Sequence, residues 1–357
     1  MRILNMLPDI GVANGIMSVI LNFAKAMPQD IQFDIVYFHE TENTRQKEIE
    51  ALGGRVYKIS KPSPKSVASG ELRLFFDDHR GEWEALHIHA PHFAVFIAPA
   101  AKRAGLRKIC VHCHSTEYSL KGNAKRNELL SLYAKYFVKD KFACSELAGD
   151  FWYGKQPYTV VNNSIDCQAF AFNQLIRDDK RKVMNLQDAL VVSHIGRTDI
   201  PQKNHPFMLR IFAEILKQEP KAVLLLIGAE PTPLLSQLCE QLGVSDRVQF
   251  LGLRSDVSEL LQASDVFLFP STREGLPVSV IEAQAAGLPV QMSDSVSHEA
   301  VVTDLVQEEA LSTLPETWAR QCIRLGATKH VNTLTAMQAA GWDLNSVSAV
   351  LCDYYQS

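Results

Sequence analysis

Residues 267–290 read FLFPSTREGLPVSVIEAQAAGLPV, and the order of residue types in that stretch decides the fold class. Val266, Phe267, Leu268 and Phe269 are an unbroken apolar run, the pattern of a parallel strand buried on both faces, and Pro270 ends it. Ser271 to Gly275 then form the loop at that strand's carboxyl end, where open α/β sheets place their ligands. Pro277 suits the first turn of a helix and Gly287 its C-terminal stop, after which a second apolar run begins. Glu274 and Glu282 lie eight residues apart. At about 1.5 Å of rise per residue they are separated by roughly 12 Å along the axis. A glycosidase carboxylate pair needs about 5 to 9.5 Å, so that chemistry is excluded. The separation matches the length of a nucleotide sugar, with one carboxylate near each end. For the spacing alone, two solvated glutamates at a helix are the plainer account.

The surroundings of the two glutamates favour the ligand. The run Arg273-Glu274-Gly275-Leu276-Pro277 through Glu282 resembles the Glu-x7-Glu donor-site signature of the retaining glycosyltransferases of family 4, which have the GT-B fold. The resemblance implies that Glu274 holds sugar hydroxyls and Glu282 the ribose hydroxyls. It also implies that the backbone of Gly275, Leu276 and Pro277 approaches the sugar and the diphosphate.

The 357 residues, 46% apolar and 21% charged, are those of an ordinary globular protein with chain enough for two domains. No stretch reaches the roughly 18 consecutive apolar residues of a membrane span, and Met1-Arg-Ile-Leu leads directly into a strand pattern, so a cytoplasmic protein is expected. Seven cysteines scattered through apolar runs suit reduced thiols better than a disulfide framework. Residues 1–165 carry 21 Lys and Arg against 17 Asp and Glu, whereas the remainder carries 15 against 23. The first half thus leans toward an anionic partner such as a membrane surface or a lipid phosphate, or has no such partner. No nucleic-acid partner is expected.

Residues 2–7 read as a strand, residues 9–15 as a loop ending Asn14-Gly15, and residues 16–27 as a helix. A helix N-terminus after a glycine loop can face a phosphate, and Gly15 is placed at the donor diphosphate on that ground. The plain alternative is a glycine that permits a tight turn. The loop does not spell G-x-G-x-x-G, so NAD is poorly supported. In the family this loop often ends Gly-Gly, and Asn14 replaces the first glycine here. Strand and helix patterns then alternate through residues 33–38, 45–52, 56–59, 67–78, 85–89, 94–104 and 108–112, which implies a parallel sheet covered by helices on both faces.

Two histidine groups close adjacent strands, His87-Ile-His89-Ala-Pro-His92 and Cys110-Val-His112-Cys113-His114. The lone Cys110-x-x-Cys113 invites a zinc or redox reading, but zinc sites of that type need a second ligand pair at suitable spacing and none occurs, so no metal is expected. Cys110 then reads as a small core residue on an alternating strand. The family resemblance singles out His114 as the active-site histidine, implying contact with the donor sugar and polar support of charge near the anomeric carbon; His89 and His92 are weaker candidates.

From Lys121 to Lys141 the chain reads KGNAKRNELLSLYAKYFVKDK, with Leu129, Leu130, Leu132, Tyr133, Tyr136 and Phe137 on an apolar side and Lys125, Arg126, Lys135 and Lys139 around it. Such a helix can lie on an anionic membrane, giving peripheral contact with the inner face of the cell membrane. An ordinary sheet-covering helix with snorkelling lysines is the plainer reading.

Asn162-Asn163-Ser164-Ile165-Asp166 resembles the Asn-Gly-Ile-Asp element that ends the first domain in the family, and the polar residues 166–188, without clear periodicity, follow as a boundary. A strand at 190–195 then delivers Gly196-Arg197 and, six residues on, Lys203-Asn204. Two cations on one loop can flank a diphosphate, Arg in bidentate fashion, and the resemblance assigns Arg197 and Lys203 that role. Leu253-Arg254 begins the loop that in the family meets the nucleobase through backbone atoms. Residues 301–340 read only as helix. Residues 341–357 resemble the terminal helix that crosses back onto the first domain.

The expectation is an α/β protein of GT-B type with two Rossmann-like domains facing across a cleft. Residues 1–168 would hold the acceptor, 169–340 the nucleotide sugar, and 341–357 would return as a helix to the first domain. The implied reaction moves a sugar from a nucleotide diphosphate donor, a UDP-sugar being favoured, to a glycan or lipid-linked glycan acceptor in cell-surface polysaccharide synthesis, of the capsular or exopolysaccharide type, with anomeric retention. No D-x-D motif is present, so no metal and no cofactor are expected, and leaving-group charge falls to Arg197, Lys203 and backbone amides. Two other classes remain open: a sugar-nucleotide epimerase of the same architecture, and a catalytically silent partner subunit.

Overall fold

The computed structural model describes residues 1–12, 14–116, 118 and 124–357. They form two units, one comprising Met1–Ile165 with Gly341–Ser357 and the other Asp166–Ala340. Each is built on one parallel sheet.

In the first unit, strands β1 (Arg2–Met6), β2 (Gln32–Tyr37), β3 (Val56–Lys58), β4 (Ala85–Ile88), β5 (Lys108–Cys113), β6 (Asp140–Ala143) and β7 (Thr159–Val160) lie in the order β3-β2-β1-β4-β5-β6-β7. The strand order reverses between β1 and β4. The helix Gly15–Ala26 turns Met17, Val19, Ile20, Leu21 and Phe23 into the core, where the C-terminal helix Leu344–Gln356 adds Val347, Leu351 and Tyr355. That last helix is tied down polarly as well. Ser348 Oγ donates to the Ala26 carbonyl at 2.8 Å, and Lys108 Nζ donates to the carbonyls of Tyr354 and Tyr355 at 3.0 Å each, a cation placed on the free carbonyls of a helix end. The fully buried Asp34 carboxylate accepts from Arg2, Arg55 and Trp83 Nε1, and these bonds hold its pKa down against its burial.

In the second unit, β8 (Val191–Ile195), β9 (Val223–Ile227), β10 (Val248–Gly252), β11 (Val266–Phe269), β12 (Val290–Ser293) and β13 (Val306–Glu309) lie in the order β10-β9-β8-β11-β12-β13, reversing between β8 and β11. Phe267 and Phe269 have no exposed surface, and burial of each is worth about 2 to 3 kcal/mol. The helix after β11, Val278–Ala285, ends as the sequence predicts at Gly287, whose φ of 65° and whose missing Cβ are both needed. A Cβ there would stand 1.9 Å from the Val331 carbonyl oxygen.

The structure corrects three element readings. Residues 166–188 are not featureless: they contain the helices Cys167–Phe170 and Gln174–Val183, both in the second unit. The longer helix is fastened by charge, with Arg177 and Arg181 paired to Asp265 and Lys180 to Asp256 and Glu259. Residues 301–340 include the strand β13 as well as the helices Pro315–Gly326 and Leu334–Ala339. Residues 67–78 are not continuous, because Gly70 at φ 77° separates the helices Pro64–Ala68 and Glu71–Asp78. The helix at Ala124–Phe137 does not simply cover the sheet, since Leu129, Leu132, Tyr136 and Phe137 are exposed. Lys121 and its neighbours to residue 123 lie outside the described residues. Among the described residues, no helix is long and apolar enough to cross a membrane.

Candidate active site

In the second unit, the loops that follow β8 and β11 leave the carboxyl ends of the two strands between which the order reverses, the ligand position of an open α/β sheet. They are bound to each other by one backbone and one side-chain hydrogen bond. The Thr272 amide donates to the Gln202 carbonyl at 2.8 Å, and Asn204 Nδ2 donates to the Pro270 carbonyl at 3.0 Å. Asn204 adopts φ 56°, a left-handed conformation that asparagine tolerates better than most side chains, and it turns the chain from Lys203 into the helix His205–Gln218. Gly196 is tight for a different reason: a Cβ would meet His194 Nε2 at 2.7 Å and Lys203 Cδ at 2.9 Å. The glycine lets Lys203 fold over it.

This arrangement brings Lys203, Glu274 and Glu282 together. Lys203 Nζ lies 3.0 Å from Glu274 Oε1 and 4.7 Å from the centre of the Phe269 ring. The Glu274 carbonyl accepts from the Ser297 amide at 3.1 Å, so its loop is held from behind. Burial pushes the Glu282 carboxyl up to about 7, and the nearby Lys203 charge opposes that rise. Burial thus favours the neutral form of Glu282, and a hydrogen-bond donor placed beside it would favour the carboxylate. Arg197 shares the loop, with its Nε 3.1 Å from Asp199 Oδ1 but outside hydrogen-bond geometry, and its side chain is 41% exposed. A guanidinium held this loosely can turn toward an anion.

Leu276 packs on the apolar cluster beneath the loop, and Pro277 stands in extended conformation as the residue before the helix Val278–Ala285. No side chain caps that helix; the Val280 amide donates to the Pro277 carbonyl at 3.0 Å, which leaves the amides before it able to face an anion alongside Gly275. Leu253 is exposed after β10. The guanidinium of Arg254 is held by Asp256 through two bonds of 2.7 and 2.8 Å.

His114 and Gly15 belong to the first unit. Gly15 opens the helix after β1, but Asn14 Oδ1 already accepts from the amides of Ile16 and Met17 at 3.0 and 3.4 Å, and a Cβ at Gly15 would meet nothing within 4 Å. The aspargine does part of what a phosphate would do at that helix end. His114 follows β5 and has a partner on each ring nitrogen: Nε2 lies 2.8 Å from His89 Nδ1, and Nδ1 lies 2.8 Å from Asn163 Oδ1. Burial pushes its pKa down to about 4. Cys110 and Cys113 are buried with their thiols pushed upward by burial, which leaves neither as a ready thiolate ligand.

The family model described as "Glycosyl transferases group 1" matches residues 189–327, the stretch that carries Arg197, Lys203, Leu253, Arg254, Glu274 and Glu282. The chain is a glycosyltransferase. This glycosyl transferase is 28% identical to the glycosyltransferase EpsF of Bacillus subtilis over 99% of its own length and 96% of that protein. It is 25% identical to the UDP-Gal:alpha-D-GlcNAc-diphosphoundecaprenol alpha-1,3-galactosyltransferase of Escherichia coli, over 62% of this chain and 60% of that one. Among solved structures, the Anabaena protein HepE in complex with UDP superposes with a TM-score of 0.81 over all of both chains at 18% identity. Sucrose-phosphate synthase from Thermosynechococcus elongatus does so with a TM-score of 0.75 over 100% of this chain and 98% of that one, at 16% identity. Those likenesses fix the fold of this glycosyl transferase as GT-B, with two Rossmann-like domains.

Proposed function

We propose that this enzyme transfers a sugar, with retention, from a UDP-sugar to a glycan or a lipid-linked glycan during cell-surface polysaccharide synthesis. The observation that carries the proposal is the convergence of Lys203, Glu274 and Glu282 at the order reversal between β8 and β11. The relatives support the substrate class: the E. coli enzyme is named for a UDP-galactose donor and a diphosphoundecaprenol-linked acceptor, a Campylobacter jejuni relative for a diphospho-undecaprenol acceptor, and HepE was solved with UDP-glucose. In the transfer, the bond from the anomeric carbon to the diphosphate breaks, the acceptor oxygen takes its place on the same face, and the acceptor proton leaves with the diphosphate. Arg197, Lys203 and the first-turn amides before Val280 receive the diphosphate charge, Glu274 accepts from sugar hydroxyls and Glu282 from the ribose. The Lys203–Glu274 pair keeps both side chains in place before the donor arrives, and the diphosphate then takes over the lysine.

Arg197→Ala and Lys203→Ala are each expected to weaken UDP binding by tenfold or more, since a hydrogen bond to a charged group is worth about 1.5 to 3 kcal/mol. Titration calorimetry reads this, and unchanged affinity in both variants would remove the diphosphate clamp. Because charge and amides carry the leaving group, sugar transfer is expected to persist in EDTA. Turnover that vanishes with the chelator and returns with magnesium would overturn the metal-free reading. Release of product without an acceptor would instead point to an epimerase.

The exposed Leu129, Leu132, Tyr136 and Phe137, with Lys125, Lys135 and Lys139 beside them, support a peripheral seat on the cytoplasmic face of an anionic membrane, where a lipid-linked acceptor is found.

A further inference from the structure

Four imidazoles form a two-by-two array on one face of the first sheet. His87 and His89 lie 4.2 Å apart between ring centres, His112 and His114 4.1 Å, and the rows face each other at 5.3 Å for His87 with His112 and 5.1 Å for His89 with His114. Two hydrogen-bond chains run through the array. In the first, Tyr355 Oη lies 2.6 Å from His87 Nδ1, and His87 Nε2 lies 3.2 Å from His112 Nδ1. Its protons can be assigned with every ring neutral: the hydroxyl donates to Nδ1, and the Nε2–H donates onward to His112. Three of these histidines have ring nitrogens within 4.8 Å of one another, close enough to suggest a metal site. Five of their six nitrogens are spent in the two chains, however, and only His112 Nε2 makes no hydrogen bond.

The second chain does not close so simply. It runs from Asn5 Oδ1 to His89 Nε2 at 3.0 Å, from His89 Nδ1 to His114 Nε2 at 2.8 Å, and from His114 Nδ1 to Asn163 Oδ1 at 2.8 Å. An amide oxygen can only accept, so these three contacts need three N–H groups, and two neutral imidazoles supply two. A third proton on the pair would place a positive charge in the array. The titratable groups acting on His89 and His114 are the other histidines, all held neutral by burial, and no carboxylate acts on either ring among the described residues. The remedy is a half-turn of one terminal amide, which exchanges oxygen for NH2. Asn5 is pinned, because its Nδ2 donates to the Ile3 carbonyl at 3.3 Å while its Oδ1 accepts from His89. Asn163 is the amide that turns.

We infer that Asn163 and His89 are positioning residues that hold His114 as the neutral Nε2–H tautomer, with Asn163 Nδ2 donating to His114 Nδ1 and His114 Nε2 donating to His89. The amide of Asn163 must turn back whenever His114 takes a proton. Both ring nitrogens of His114 are occupied in this arrangement, so a nitrogen reaches a ligand only when Asn163 or His89 releases it. The functional part of this inference rests on the role in sugar transfer that the family resemblance implies for His114.

Long-range proton–nitrogen NMR on protein labelled with nitrogen-15 histidine reads the tautomer directly, with His114→Gln assigning the signal. At neutral pH the wild-type His114 Nδ1 is expected to be the unprotonated, pyridine-like nitrogen. Asn163→Asp replaces a group that can donate with one that can only accept, so in that variant Nδ1 is expected to become protonated and the titration of His114 to rise by about 1 to 3 units. A protonated Nδ1 in the wild type overturns the inference without any variant, and so does an unmoved Nδ1 signal in folded Asn163→Asp. Sugar transfer measured on the same samples separates the two readings. A moved signal with unchanged kcat and KM sinks the role of His114 and leaves the chain standing, whereas an unmoved signal sinks the chain whatever the turnover.

Discussion

Lowering the pH from 7.5 to 5 is expected to cost the first unit several kcal/mol of stability, and the histidine array is the cause. Burial holds His87 down to about 3 and His114 to about 4, and it holds His89 and His112 well below the ordinary histidine range. In the unfolded chain each takes a proton at about 6.5. Between the two values the unfolded state binds more protons than the folded one, so stability rises with pH across that window. The contribution is fully present above about 6.5 and is lost as pH falls through the unfolded value toward the folded one. At pH 5 each neutral ring costs about 2 kcal/mol, from 1.36 kcal/mol per pKa unit. Four such rings approach the whole stability of a typical domain, about 5 to 15 kcal/mol. Urea denaturation at both pH values reads the loss, with Trp318 as the tryptophan of the second unit and Trp83, Trp152 and Trp342 as those of the first. His112→Phe keeps an aromatic ring against Phe23, whose ring centre is 6.4 Å away, and removes one titrating group. It is expected to flatten the pH dependence, and equal stability of the wild type at pH 5 and 7.5 would refute the account.

The same histidines show what the sequence could and could not tell. Strand alternation already places His87 with His89, and His112 with His114, on one face, because side chains two apart point the same way. That β4 and β5 are neighbours was implied by their succession in a parallel sheet. Their partners were not legible: Asn5, Asn163 and Tyr355 come from three distant stretches, and a buried amide carries no periodic signal. In the second unit the strands were readable because a parallel sheet buried on both faces demands unbroken apolar runs, as in β9 and β11. The helix Gln174–Val183 was not, since its side toward the protein is Arg177, Lys180 and Arg181 paired with Asp265, Asp256 and Glu259. Apolar periodicity cannot find a helix that docks through ion pairs. Strand β13 was missed for a related reason, because Val306-Gln-Glu-Glu309 is an edge strand whose polar residues pair only on one side. At the site, the motif named Lys203, Glu274 and Glu282 but could not show that one lysine acts on both carboxylates.

His114→Asn is expected to lower turnover by about 10² or more while donor affinity stays within a few fold, the pattern of losing a group that acts mainly in the transition state. The hydrogen bonds sharpen what else this variant must show. Asparagine is shorter than histidine and cannot span from His89 to Asn163, so at least one of the two 2.8 Å contacts is lost. A lost buried hydrogen bond costs about 1 to 3 kcal/mol, so some fall in stability is expected at pH 7.5. At pH 5 part of that fall should be recovered, because the variant has one fewer ring that must stay neutral against acid. A purely structural histidine would give the stability change without the turnover change. Sugar transfer, donor binding and denaturation on one purified preparation distinguish the two. Near-normal turnover beside the stability loss would make His114 a structural residue of the array and leave the first unit without an assigned group in the reaction.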